Sequence, residues 1–90
     1  MKLYVLEKYY ETVTIRKSRQ TSNGFSLRLG IFSTFALAQF HAEFDCSKSL
    51  SFEDSLSDSF CAESKREIVD LFNTKVETYL ITIEQLDDGV

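Results

Sequence analysis

Ninety residues with 43% hydrophobic content, eight Phe and four Tyr make one domain with enough apolar material for a core, which excludes wholesale disorder. Pro and Trp are absent, and no apolar run approaches the roughly 20 residues that cross a bilayer. The net charge of −4 is unevenly spread. Six bases against two acids give residues 1–30 a charge of +4, and four bases against twelve acids give the rest −8, so two electrostatically different surfaces are expected.

The opening "MKLYVLEKYYE" fails as a signal peptide because Glu7 and Lys8 break its apolar run. Its Tyr, Val and Leu residues suit a pleated strand instead, predicted over residues 2–10, with a polar and basic continuation through Arg16, Lys17 and Arg19. Asn23-Gly24 accepts the positive φ angles of a type I′ turn and predicts a hairpin there, with residues 25–32 as the returning strand. That turn would set Arg19 opposite Arg28, an unfavourable pairing that argues for a different register or a nearby anion.

From Ser33 the period changes from strand to helix. A Ser33 or Thr34 side chain can accept an orphan N–H of the first turn, and a helix is predicted near 34–45. Phe35, Ala38 and Ala42 fall on one side of it, Leu37, Phe40 and Phe44 on the other. The first side is expected to pack on a sheet and the second to need further cover, from this chain or from a partner. Candidates for that cover are helices over "SFEDSLSDSF", with Phe52, Leu56 and Phe60 four apart, and over "SKREIVDLFNTK", which opens with the Ser64/Glu67 spacing of a capping box and would bury Ile68, Leu71 and Phe72. The acidic tract 45–64 carries seven Ser and is the segment expected to be mobile. A last strand is predicted over 77–85. The expected fold is α+β: a small antiparallel sheet of about three strands, with two or three helices on one face in the order β-β-α-(α)-α-β.

Residues that would carry catalysis are sparse. Three widely separated glycines exclude a phosphate loop. His41 is the single imidazole, and Cys46 lies near the end of a predicted helix, where the dipole disfavours a thiolate. His41, Cys46 and Cys61 lack the close ligand pairs of structural zinc sites, so neither metal nor cofactor is expected and the thiols are read as free. The acids near Glu53 read as a solvated face, or as a mimic of phosphate charge facing a basic protein.

Gly30-Ile31-Phe32-Ser33-Thr34 with Ala38, together with Lys2-Leu3-Tyr4-Val5-Leu6 and the terminal Tyr79-Leu80-Ile81 and Leu86-Asp87-Asp88, resembles small uncharacterised tailed-phage proteins with a G-[VI]-F-S-[ST]-x-x-x-A strand-to-helix step. Phe35-Ala36-Leu37 stands where those proteins carry charged residues, and 45–64 reads as an insertion. The resemblance implies a compact α+β fold and a phage origin, with no catalytic residues to transfer. The expectation is a non-enzymatic, protein-binding phage inhibitor or regulator of a host protein, such as a nuclease or defence factor, in the host cytoplasm. Its contact set would be Phe40, Phe44, Phe52, Glu53, Asp54, Leu56, Asp58 and Phe60. The alternatives are a nucleic-acid-binding accessory protein using the basic 16–28 hairpin and, third, a small hydrolase. No membrane association is expected, and a homodimer is compatible with the pattern.

Overall fold

The computed structural model describes residues 1–55 and 58–86. Strands β1 (Lys2–Arg16), β2 (Arg19–Phe32), β3 (Glu53–Asp54), β4 (Ser59–Ile68) and β5 (Asn73–Gln85) form one antiparallel sheet in the order β2-β1-β5-β4-β3. Helix α1 (Phe35–Cys46) packs on one face and is the single helix among the described residues. It is not long and apolar enough to cross a membrane.

The α1 boundary follows from local chemistry. The Thr34 Oγ1 accepts the Leu37 N–H at 3.2 Å, and Ser47 ends the helix in a left-handed conformation with its N–H on the Glu43 carbonyl. Ala38 and Ala42 are fully buried, so the helix axis comes close to the sheet, over Leu6, Tyr79 and Ile81. Leu50 and Ala62 complete this core, and Tyr4, Phe32, Phe35, Cys46 and Phe52 surround it.

Three expectations are overturned. The three-stranded sheet with two or three helices gives way to five strands and one helix. The hairpin turns at Lys17-Ser18, whose φ angles of 49° and 64° supply the type I′ geometry, so Arg16 pairs with Arg19 and Glu7 with Arg28. Asn23-Gly24 instead lies inside β2 opposite Thr12 and Glu11, and Gly24 serves close approach: a Cβ there would collide with the Tyr10 carbonyl oxygen and sit 2.9 Å from the Glu11 Cα. The long β1 pairs with β2 and β5 at once, and β5 partners its backbone through Thr14, so the chain reverses just beyond that ladder, six residues before Asn23-Gly24.

The third correction concerns the two covering helices. Residues 59–68 form β4 along the full-length β5, because a 13-residue ladder offers the backbone partners that a short Ser-rich helix would lack. Ser64 is no cap. It sits in a bulge between Glu63 and Lys65, buried, with its hydroxyl donating to the Glu77 carbonyl at 3.1 Å. The Asp70 carboxylate accepts the N–H groups of Phe72 and Asn73 at 2.8 and 2.9 Å and closes the β4–β5 turn where a helix was expected. Ile68, Leu71 and Phe72, expected to be buried, are exposed.

Candidate protein-binding surface

The residues predicted for protein binding separate into three places. Phe52 and Phe60 meet the Phe35 ring edge-to-face at centroid distances of 5.8 and 5.1 Å, and Tyr4 meets it at 6.3 Å, so both are half-buried supports of the core. Glu53 and Asp54 lie exposed on β3, paired with Cys61 and Phe60, and Asp58 occupies a left-handed turn position beside them. Leu56 lies outside the described residues. Phe40 and Phe44 stack on each other at 6.4 Å and are 61% and 76% exposed. The segment expected to cover them packs on Phe35 at another side of α1, and no described residue takes its place.

What the fold brings to Phe40 and Phe44 is β2. Leu37, Phe40, His41 and Phe44 form one outward stripe at helical spacing. The His41 ring stacks on Phe32 of β2 at 4.6 Å and meets Phe40 edge-on at 5.8 Å. Phe32 lies over Gly30, where an added Cβ would be 2.9 Å from the ring, so the glycine makes room for this joint between helix and strand. Further along, Phe25 stacks on Tyr10 at 5.0 Å, and Phe25, Leu27, Leu29 and Ile31 are all exposed. Among the described residues β2 is an edge strand, paired with β1 alone. The sequence reading missed this strand as a site. A partial signal was present: from Arg19 to Phe32 there is no acid, lysine or proline, and the edge is blunted only by Arg19, Arg28 and a bulge at Leu29.

A groove of about 440 Å³ opens on the helix-bearing side, beyond the reach of α1. Tyr10 and Phe25 line one wall, Lys65 and Glu67 the other, with Lys75 and Glu77 between them. With Glu11 also in its lining, the groove carries two bases and three acids, a mixed charge that marks out no single ligand class.

The most polar cluster fastens α1 to the sheet. The Tyr79 hydroxyl donates to the Asp45 carboxylate, and the Lys8 ammonium reaches that carboxylate at 3.1 Å and Glu77 at 3.7 Å while lying over the Tyr10 and Tyr79 rings. Asp45 stands in the last turn of the helix, where the dipole repels an anion, and Lys8 offsets that repulsion. Burial alone would lower Lys8, but polar contacts with Tyr79, Asp45 and Tyr10 outweigh it and hold the ammonium well above the usual lysine range. Burial, then the Asp45 hydrogen bond, pushes Tyr79 up to about 12. The Tyr79 hydrogen bond and then Lys8 lower Asp45. A lysine and a tyrosine that both keep their protons supply neither a base nor a nucleophile near neutral pH.

His41 is held between aromatic rings, and the Cys46 thiol contacts the carbonyls of Glu43 and Lys48. Among the described residues no three His, Cys, Asp or Glu side chains converge to hold a metal ion. No protein-family model matches the chain, and no curated protein or solved structure matches it.

Proposed function

We propose that this chain is a small non-enzymatic protein-binding module whose contact surface is the outward stripe of α1 together with the free edge of β2. One observation carries the reading: Leu37, Phe40 and Phe44 stand exposed on the helix beside a 14-residue strand that pairs on one side only. An apolar patch continuous with unpaired backbone donors and acceptors is the material from which protein interfaces are made. The resemblance of Gly30–Thr34 and Ala38 to tailed-phage proteins supports a phage-encoded regulator acting on a host protein. The acidic residues Glu53, Asp54 and Asp58 lie on the opposite edge and serve a separate, electrostatic role in attracting a basic partner.

The test is the double variant Phe40→Asp with Phe44→Asp, used as bait in a host lysate beside the wild type. Retained circular dichroism and melting temperature with loss of the captured proteins supports the reading. Unchanged capture overturns it.

A second reading, nucleic-acid binding by the hairpin tip, has its own observation. Arg16 stands directly opposite Arg19 with Lys17 in the turn; none of the three forms a close salt bridge among the described residues, though the Asn73 hydrogen bond and, more weakly, the charge of Arg16 lower the Asp70 carboxylate. Facing like charges are relieved by a bound phosphate. Filter binding to single- and double-stranded nucleic acid at graded salt, with Arg16→Glu and Arg19→Glu, decides it: affinity that falls with salt and with both reversals supports this reading, and no binding at low salt removes it.

A further inference from the structure

We infer that the free edge of β2 is occupied by a second copy of this chain, through antiparallel pairing of the two β2 strands about a two-fold axis at Ser26. This names the occupant of the edge in the reading above and rests on that reading.

The surface area calls for a partner of considerable size. The chain exposes 6563 Å², whereas a compact monomer of 10.4 kDa exposes about 5,400 Å², leaving an excess of about 1,200 Å². A standard interface removes about 800 Å² per partner, which this excess is large enough to supply. The radius of gyration of 15.2 Å, against about 12 Å for a compact chain of this length, says the same: the long strands extend past the helix.

The backbone selects the pairing. A two-residue turn closes on a hydrogen-bonded Arg16–Arg19 pair, so from there alternate residues bond inward to β1. Gln20, Ser22, Gly24, Ser26 and Arg28 therefore turn their N–H and C=O groups outward as far as the bulge at Leu29, and a second, antiparallel β2 presents the same two-residue spacing in return over residues 24–28. Identical strands paired this way are related by a two-fold axis and close on themselves, so growth stops at the dimer.

The side chains select the register. With the axis at Ser26, Phe25 faces Leu27 of the second copy and Leu27 faces its Phe25, giving an apolar cluster of four on the helix-bearing side beside the two Tyr10–Phe25 stacks. On the other side each Arg28 falls against Gly24 of the opposite copy. The missing side chain opens the way to Glu11 one strand further in, about 10 Å from the arginine backbone and within the joint reach of Arg and Glu. Glu11 is already oriented by the Ser22 hydroxyl at 2.6 Å. The two Arg28 side chains start about 13 Å apart, beyond the ~8 Å screening length. An axis at Arg28 would instead place them face to face, and one at Gly24 would set Phe25 against Asn23 and Leu27 against Thr21.

The experiment uses the full chain. Sedimentation equilibrium is expected to give twice the 10.4 kDa mass, and Ser26→Pro, which removes an outward N–H and leaves the β1 ladder intact, is expected to give the single mass. In a Cys46→Ser, Cys61→Ser background, Ser26→Cys sits about 5.5 Å from its own symmetry mate, within disulfide range, whereas Ser22→Cys lies more than about 20 Å from its mate. Oxidation should cross-link the first variant and not the second, which decides the matter even if Ser26→Pro does not fold. A wild-type monomer at all concentrations overturns the inference, as does a dimer that cross-links equally at both positions. A monomer whose lysate partners are lost on Phe40→Asp with Phe44→Asp refutes the second copy and leaves the protein-binding reading standing.

Discussion

β2 and β3 close the same sheet at opposite edges, β2 with fourteen residues and β3 with two. The β2 edge has Arg19 and Arg28 but no acid or proline and shows Phe25, Leu27, Leu29 and Ile31 to solvent, while the opposite edge is Glu53 and Asp54 and, beyond them, the outer side of β4 with Glu63, Lys65, Arg66 and Glu67. Short, charged edges resist further strand pairing, and long apolar ones invite it. The difference teaches where the molecule can be joined. The sequence reading combined the acidic segment with Phe40, Phe44 and other aromatics and gave the edge of β2 no part, because charge and aromatic spacing are conspicuous in a sequence and an unpaired edge is not.

The contrast can be broken most severely at Gly24. Gly24→Val drives a side chain into the Tyr10 carbonyl and the Glu11 Cα, and is expected to destabilise the fold by roughly 3 kcal/mol or more. Glu53→Val on the opposite edge should stay within about 0.5 kcal/mol. Urea titration of both variants measures the gap, and equal midpoints would refute the close β1–β2 approach.

Removing the N-cap ranks next. Thr34→Ala leaves the Leu37 N–H without its acceptor and should cost about 1 kcal/mol, loosening α1 above β2 and leaving β3 untouched. Hydrogen exchange resolved by residue should show faster exchange confined to the first turn of α1.

The cluster under α1 predicts a pH response. Lys8 and Tyr79 titrate higher in the folded chain than in the unfolded one. Their contribution is therefore full below the ordinary tyrosine value of 10.0 and is lost as the pH rises toward the folded values, about 12 for Tyr79. Asp45 has the opposite sign. Its contribution is full above the ordinary 3.8 and is lost as the pH falls through its lower folded value. Asp45 is 41% exposed, so Lys8→Met should cost no more than about 1 kcal/mol at neutral pH. The offset between thermal melts of Lys8→Met and wild type should hold from pH 6 to about 10 and narrow as the pH rises above the ordinary lysine value of 10.5; an offset that stays constant to pH 12 would remove Lys8 from the account.

The smallest effect sharpens the functional side of the comparison. Phe40→Asp with Phe44→Asp should change stability by less than about 1 kcal/mol, because both rings already face solvent. A loss of 3 kcal/mol or more, the usual figure for a buried Phe, would place them in a core.

Much of the framework was legible because its signals are local. Tyr, Val and Ile at two-residue spacing marked β1 and β5, the Ser33-Thr34 hydroxyls marked the helix start, and the alanines marked the face that meets the sheet. All of these depend on residues within one or two turns of each other. The rest was decided by partners distant in the chain. Lys17-Ser18 took the turn from Asn23-Gly24 because β5 continues the ladder along β1 to Thr14, and the Phe72 carbonyl accepts the Ile15 N–H beyond it. Phe52 and Phe60, spaced as one helical stripe, reached the same Phe35 ring from two strands, since backbone groups that pair with β5 gain more than a short isolated helix provides. The exposed edge was invisible for the same reason: which strand lies outermost follows from the order in which all five pair, and only the tertiary structure decides that order.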